Sequence, residues 1–391
     1  MSSKNHNHKD DRSYLNLVKA LIPLTAGIAA YKIARSPFYS KIPELAKAQE
    51  ASGGKLTYVM DEWDAYPNLY PTKLIDKIKN RLFYSPVKFV KAQDLVPGQK
   101  LEGAVYHYVS SPDFKGAIPR ADVEYNTDLE FLNKYFSDKL NYNKLKSEYI
   151  AKGGPAREIL EEALGRPIKT KRDFNEAVKK LEKDLYFKPR VGYAQTVESG
   201  HFNTEMLKAN KRDATPFYKN LDNYIYNEKI PYEKLKDGFP AKEQRVHFAI
   251  INGVPTVFGS KYYKFSPSIG QAKDFSNEVL EQAMAEVIKN NPQLRTKSNF
   301  ILGADVIPNA VTGKPMFVEL NDMSGYLEVP REVRKLYKHL TGRYDPLTAS
   351  GIALGTAGLT GGGVALLDAI RKNKGNQENQ EKIWTREEIR R

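Results

Sequence analysis

The sequence contains no cysteine. Disulfides, thiolate metal sites and a cysteine nucleophile are therefore excluded, and the chain suits a reducing, cytoplasmic setting. Acidic residues are in deficit: 47 Asp and Glu against 61 Lys and Arg give a formal charge of +14 over 391 residues. Such a field attracts polyanions, whether nucleotide phosphates, nucleic acid or an acidic membrane surface, without selecting among them. Nucleic acid has only this charge behind it, because no recognition motif accompanies it. Long apolar runs are scarce, and the two present lie near the ends. "ALIPLTAGIAAY", Ala20 to Tyr31, is uncharged for twelve residues, too short to span a bilayer as a helix. With Pro23 inside it and no small-residue cleavage site after it, a short buried or interfacial helix is expected there. "LTASGIALGTAGLTGGGVALL", residues 347–367, is uncharged for 21 residues, six of them glycine. Its length permits a span, and Gly351-x-x-x-Gly355 permits close helix pairing, so a membrane contact and a buried hairpin or assembly contact both stay open.

Between these runs the pattern is that of a mixed α/β protein of two or three domains. Residues 1–37 read as a polar tail plus the short apolar segment; His6 and His8 in that tail make a poor metal site. Residues 38–144 form an N-terminal α/β region, with strands expected at 55–60 and 103–109 and helical segments at 72–82 and 127–149, and no motif assigns it a role. From 145 to 332 the signals are denser. A helix is expected at 172–183, strands at 185–188, 223–230 and 245–251, a hairpin turn at Asn252-Gly253 and a further strand "PTVFG". The amphipathic segment 276–290 should place Val279, Ala283 and Val287 on one face, and strands at 300–307 and 315–320 should pair through "PNAVTGK". Residues 347–370 form the glycine-rich apolar segment, and 371–391 a charged tail.

The last hairpin carries the chemistry that geometry can address. Side chains alternate on a strand, so Glu319 and Asn321 share a face while Val318 and Leu320 take the other, and Asp322 falls away. With the turn near 309–313, Asp305 comes opposite Glu319. Two carboxylates and a carboxamide suit Mg²⁺, which combines a few protein oxygens with substrate phosphates and waters; ordinary polar residues at a sheet edge are the plainer explanation. Lys188, at the end of an apolar strand, can reach a phosphate, and the loop after it, with Gly192, Ser199 and Gly200, could close over a nucleotide; a snorkelling strand-end lysine explains it as well. Arg245 can hold a phosphate oxygen or make a surface ion pair.

Taken in order, "FKPRVGY", "YNEKI", "EQRVHFAIINGVP", "FILGADVI" and "FVELNDMSG" resemble the ATP-grasp family over roughly residues 145–332, a little under half the chain. The resemblance implies an α+β fold, two α+β subdomains clamping ATP, preceded here by the α/β region and flanked by the apolar segments. It implies Asp305, Glu319 and Asn321 as Mg²⁺ ligands, Lys188 and Arg245 on phosphates as the catalytic cations, and Glu228, Lys229 and Ile230 around adenine. Either Glu233 or Glu243 would hold the ribose. A second upstream lysine is left open among Lys144, Lys146, Lys152 and Lys169. The phosphate loop departs from the family, having isolated rather than paired glycines.

The activity implied is ATP- and Mg²⁺-dependent ligation of a small-molecule or peptide carboxylate to an amine through an acylphosphate. Two other readings stand beside it. One is an ATP-grasp kinase; the other is a membrane-contacting or structural assembly protein, a viral one for example, that retains the fold as a scaffold and touches membrane or protein through 347–367.

Overall fold

The computed structural model describes residues 28–60, 87–96, 99–108, 121–190, 201–210, 213–233, 240–263, 272–295, 298–321 and 330–357. The expected helix at 72–82, the loop 191–200, Asp322 and the chain beyond 357 lie outside these residues.

The N-terminal region is a parallel sheet, ordered β2-β1-β3-β4, of β1 (Leu56–Met60), β2 (Lys88–Lys91), β3 (Ala104–Tyr108) and β4 (Val123–Tyr125). Helix α1 (Pro43–Ala51) precedes it. Strands β1 and β3 are buried throughout, as a parallel sheet covered on both faces requires. His107 is buried in β3, and desolvation lowers its pKa to about 4 from the ordinary 6.5. The unfolded chain therefore takes up a proton that the folded chain refuses between these values. Stability should fall as pH drops from 6.5 to about 4, with a slope of ~1.4 kcal/mol per pH unit from this one group. Urea titrations of the protein and of His107→Phe across that window measure it, the variant losing that component of the slope.

Two antiparallel sheets follow. The first, ordered β5-β8-β6-β7, contains β5 (Gly153–Pro155), β6 (Leu185–Pro189), β7 (Phe202–Asn203) and β8 (Tyr224–Glu228). The second, ordered β10-β9-β11-β12, contains β9 (Gln244–Ile251), β10 (Val254–Tyr263), β11 (Phe300–Pro308) and β12 (Pro315–Asn321). This is the α+β clamp that the resemblance implies. Between 127 and 149 the expected single helical segment is broken into Leu129–Leu132, a π-helical turn Asn133–Ser137, and α2 (Lys139–Asn143). The break falls at Asp138, whose carboxylate caps α2 by accepting from Leu140 N at 3.0 Å. A short acid side chain that can bond its own backbone favours a new helix start over helix continuation.

Helices α3 (Ala156–Leu164) and α4 (Lys171–Lys180) pack on the first antiparallel sheet around Leu160, Phe174, Phe187 and Phe217. Helix α5 (Asn277–Asn290) packs on the second. Its buried stripe is Leu280, Ala283, Met284, Val287 and Ile288, spaced for a helix, while Val279 is exposed. The stripe begins one residue later than expected, and Val279 sits in the first turn, where its N–H donates to the Ser276 cap.

The hairpin β9–β10 turns at Asn252 (φ 50°) and Gly253 (φ 80°), the left-handed pair that a two-residue turn requires. One face of the second sheet (Val246, Phe248, Ile250, Leu302, Ala304) closes a core with α5 and with Leu132, Phe136, Tyr142 and Leu145. The other face changes character along the strands. Ala249, Ile251 and Ile301 pack with the parallel sheet and helix α6 (Pro330–Thr341), whereas Arg245 and Asp305 lie further along the same face. The apolar end is buried between layers, and the polar end carries the Arg245–Asp305 pair.

Candidate nucleotide and metal site

On the polar face the registers place Glu319 of β12, Asp305 of β11 and Arg245 of β9 in one cross-strand row. The next row holds Asn321, Gly303, His247 and Phe258. The expected opposition of Asp305 and Glu319 is thus present, with Asn321 two residues further along the same strand.

The strict alternation expected for β12 does not hold upstream of Glu319. A register shift pairs Asp305 with Glu319 but Val306 with Phe317, so Val318 is an extra residue. Phe317 and Leu320 both enter the same core although they are three apart, and Val318 is half-buried outside it. A bulge of this kind reverses the parity of the strand and frees backbone groups. Three of them are used on the outer edge of β12. Phe317 N donates to Tyr149 O at 2.7 Å, Phe317 O accepts from the Tyr142 hydroxyl at 2.6 Å, and Val318 O accepts from Lys188 Nζ at 3.0 Å. Lys188 is 6% exposed. It does not snorkel to water: it leaves β6 and reaches the bulge of the opposite sheet. Replacing Tyr142 by Phe strips the buried Phe317 carbonyl of its donor, with an expected loss of about 1 kcal/mol in urea unfolding.

Arg245 and Asp305 form a two-pronged ion pair, Nε to Oδ1 at 2.5 Å and Nη2 to Oδ2 at 3.1 Å. The Asp305 side chain is 1% exposed and that of Arg245 15%, so the pair lies well out of solvent. Lys139, buried on α2, sets Nζ 3.6 Å from Glu319 Oε1. Lys144, Lys146, Lys152 and Lys169 are all exposed, and sequence reasoning missed Lys139. The signal that could have found it is the Ser137-Asp138 helix start: Asp138 caps α2 and binds Arg190 at 2.9 and 2.7 Å, fixing the first turn that carries Lys139. Hydrogen bonding from Arg190 lowers the Asp138 pKa, so this tie is present at neutral pH and lost as acid protonates the carboxylate below its ordinary value of 3.8. Burial first, and the Glu319 and Asp305 carboxylates next, push the Tyr142 phenol well above the usual tyrosine range.

The candidates for adenine and ribose divide. Glu228 turns outward to Lys183 at 2.7 Å, and Lys229 binds Asp184 at 2.6 Å, both on the surface of the first antiparallel sheet. Ile230 is buried at the link between the sheets, where the neighbouring Pro231 O accepts from Ala310 N at 2.8 Å. Glu233 is a surface carboxylate tied to Lys242 at 2.9 Å, whereas Glu243 is buried. On the second row, Gly259 (φ 76°) lets Glu332 at the start of α6 come against β10; a Cβ there would lie 2.7 Å from Glu332 Oε2 and 3.4 Å from His247 Nδ1.

A metal fits this donor set on one observation of the structure. The Asn321 side-chain Nδ2 is buried with no hydrogen-bond partner among the described residues. Turning the amide over puts an acceptor oxygen at that position, on the face that carries two carboxylates, and a cation there would give it a partner. Among the described residues no group of three or more His, Cys, Asp or Glu is placed to hold a metal. Lys139, Lys188 and Arg245 surround it, three cations against two carboxylates, which suits a polyphosphate.

No family model and no curated protein matches the sequence. Solved structures do match. D-cycloserine synthetase is similar at 13% identity over 73% of this chain and 99% of that one, with a TM-score of 0.40. A RimK domain protein described as ATP-grasp, from Sphaerobacter thermophilus, is similar at 7% identity over 73% and 98%, with a TM-score of 0.38. Phosphoribosylamine–glycine ligase from Thermotoga maritima is similar at 11% identity over 74% and 76%, with a TM-score of 0.41.

Proposed function

We propose that the protein is an ATP- and Mg²⁺-dependent ligase that joins a carboxylate to an amine. The observation that carries this reading is the convergence of Asp305, Glu319 and Asn321 on one strand pair with Lys139 and Lys188, which arrive from outside that pair. Asp305, Glu319 and Asn321 would hold Mg²⁺, which when bound neutralises phosphate charge and fixes the γ-phosphoryl group for in-line attack. Lys188, Lys139 and Arg245 bind phosphate oxygens and offset the charge that spreads over the transferred group. Loading MgATP requires Lys188 to leave Val318 O and Arg245 to share Asp305, so the cations exchange protein oxygens for phosphate oxygens. Ile230 and the backbone of 228–230 line the adenine end.

A substrate carboxylate oxygen bonds to the γ-phosphorus as the bond to the ADP oxygen breaks, giving an acylphosphate. The amine nitrogen then bonds to the acyl carbon, phosphate departs with the C–O bonding pair, and the amine proton passes to solvent. Positioning and charge neutralisation do the catalysis, and no protein nucleophile is required. The substrates are small-molecule or peptide carboxylates and amines.

The test is Mg²⁺-dependent ATP binding by the full chain, measured calorimetrically, followed by phosphate release with panels of carboxylates and amines. The full chain is used because residues 132–145 and α6 share cores with the second antiparallel sheet. Phosphate release that needs both co-substrates supports ligation; transfer to one substrate with no amine requirement identifies a kinase. Absence of Mg²⁺-dependent nucleotide binding would leave the fold as a scaffold and end the enzyme reading.

A further inference from the structure

Two of the cations at the site come from different elements and end on neighbouring residues of one strand. Lys188 leaves β6 for Val318 O at 3.0 Å, and Lys139 leaves α2 for Glu319 Oε1 at 3.6 Å. Both lysines are buried. Two ammonium groups brought to adjacent residues away from water repel each other, so the elements that carry them must be held against that repulsion.

Strand β6 is held by its sheet, between β7 and β8. Helix α2 has five residues, too few to persist as a helix by itself. Its position is set by what it is tied to. The Tyr142 hydroxyl ties it to Phe317 O of β12. At its far end Asn143 Oδ1 accepts from Asn227 Nδ2 at 3.0 Å, and Asn143 Nδ2 donates to Tyr226 O at 3.3 Å, both partners lying on β8. Its first turn, which carries Lys139, is tied through Asp138. That carboxylate accepts from Arg190 Nε at 2.9 Å and Nη2 at 2.7 Å, and the backbone doubles the link, with Lys139 N donating to Arg190 O at 3.2 Å. Arg190 is itself anchored, its N–H donating to Asn223 O at 2.7 Å. One ion pair therefore joins the residue before Lys139 to the residue two beyond Lys188. Capping does not require it, because the bond from Leu140 N needs only an acceptor oxygen, which an uncharged Asn supplies as well as Asp.

We propose that Asp138 and Arg190 are positioning residues for the triphosphate, their ion pair fixing Lys139 against Lys188 so that both ammonium groups meet the nucleotide as one preorganised unit. The inference rests on the nucleotide reading of the site given above. The pair acts through Lys139: without it the short helix can turn its first residue away from a second cation, and binding must then bear the cost of bringing it back.

The experiment is calorimetric titration of MgATP into the full-length protein and its variants, with urea unfolding of each alongside. Asp138→Asn keeps the cap and removes the charge. It should weaken MgATP binding about tenfold, the lower end of what loss of a supporting residue costs at a metal site. The urea midpoint should move little, since the Arg190 side chain is 40% exposed. Arg190→Gln should match it, the two together should cost no more than either alone, and Arg190→Lys, which keeps the charge, should recover most of the affinity. Lys139→Met should weaken binding by itself, and in that background Asp138→Asn should cause no further loss. A role confined to folding would instead lower affinity equally in both backgrounds. The inference is overturned if Asp138→Asn and Arg190→Gln bind MgATP as the wild type does, or if the loss persists undiminished alongside Lys139→Met. In both cases the nucleotide reading survives, because the wild type still binds. A wild type that binds no MgATP ends that reading and this inference with it.

Discussion

Glu319→Gln should lower Mg²⁺-dependent affinity for ATP by at least ~100-fold, since even residues one shell beyond a metal cost 10–100-fold when removed. The substitution keeps the shape of the side chain and exchanges one acceptor oxygen for a donor nitrogen. It also removes the charge facing Lys139 Nζ at 3.6 Å. Because the Glu319 side chain is 25% exposed, the folding cost is modest, within ~1 kcal/mol. Nucleotide binding and stability should therefore part company: isothermal titration with MgATP changes greatly and the urea midpoint little. Binding of ATP without Mg²⁺, carried by the three cations, should be close to wild type. An unchanged MgATP affinity in Glu319→Gln would remove Glu319 from the metal site and leave its carboxylate as a partner for Lys139.

Asp305→Ala should show the reverse balance, with a stability loss of about 3–5 kcal/mol on top of the loss of nucleotide binding. Its carboxylate is held by two guanidinium nitrogens of Arg245 and is shut off from water. Deleting it strands a cation between strands β9 and β11, where no other carboxylate stands in the same row but Glu319. Replacing both partners, Asp305→Leu with Arg245→Leu, should recover most of that loss, because the uncompensated charge is gone. Chemical unfolding of the single and double variants completes the cycle. Additive losses in the double variant would mean that the pair is not coupled, contrary to its geometry. A recovered stability with no MgATP binding would separate what the pair does for folding from what it does for the site.

The two variants differ because Glu319 lies on the edge strand of its sheet, and Asp305 in the middle of it. The same position explains how much of the site sequence could reach. Strand alternation is local and was enough to put Glu319 and Asn321 on one face, but the turn register, Pro308 with Pro315, continued without interruption would set Asp305 against Val318, and it is the bulge that brings Glu319 opposite Asp305. The bulge at Val318 was not legible, because it is decided by what the outer edge of β12 meets: Tyr149 O, the Tyr142 hydroxyl and Lys188 Nζ. Helix α5 was legible as a helix, but its buried stripe starts at Leu280 and not Val279, since the sheet beneath sets the rotation. Lys139 was not among the four lysines considered: the Asp138 cap marks a helix start there, but only the packing of α2 beside β12 shows that this lysine is buried.

By itself the sequence determined the thiol-free chemistry, the excess of cations, the two apolar runs and the order of strands ending in a two-carboxylate hairpin. These follow from composition and from periodicities that act over a few residues. Tertiary structure alone decided that Lys139 and Lys188 face that hairpin, that Arg245 neutralises Asp305, and that Phe38 packs on Tyr344. Each of these contacts joins residues dozens to hundreds of positions apart, and it exists only once three sheets have packed and fixed which faces can be dry.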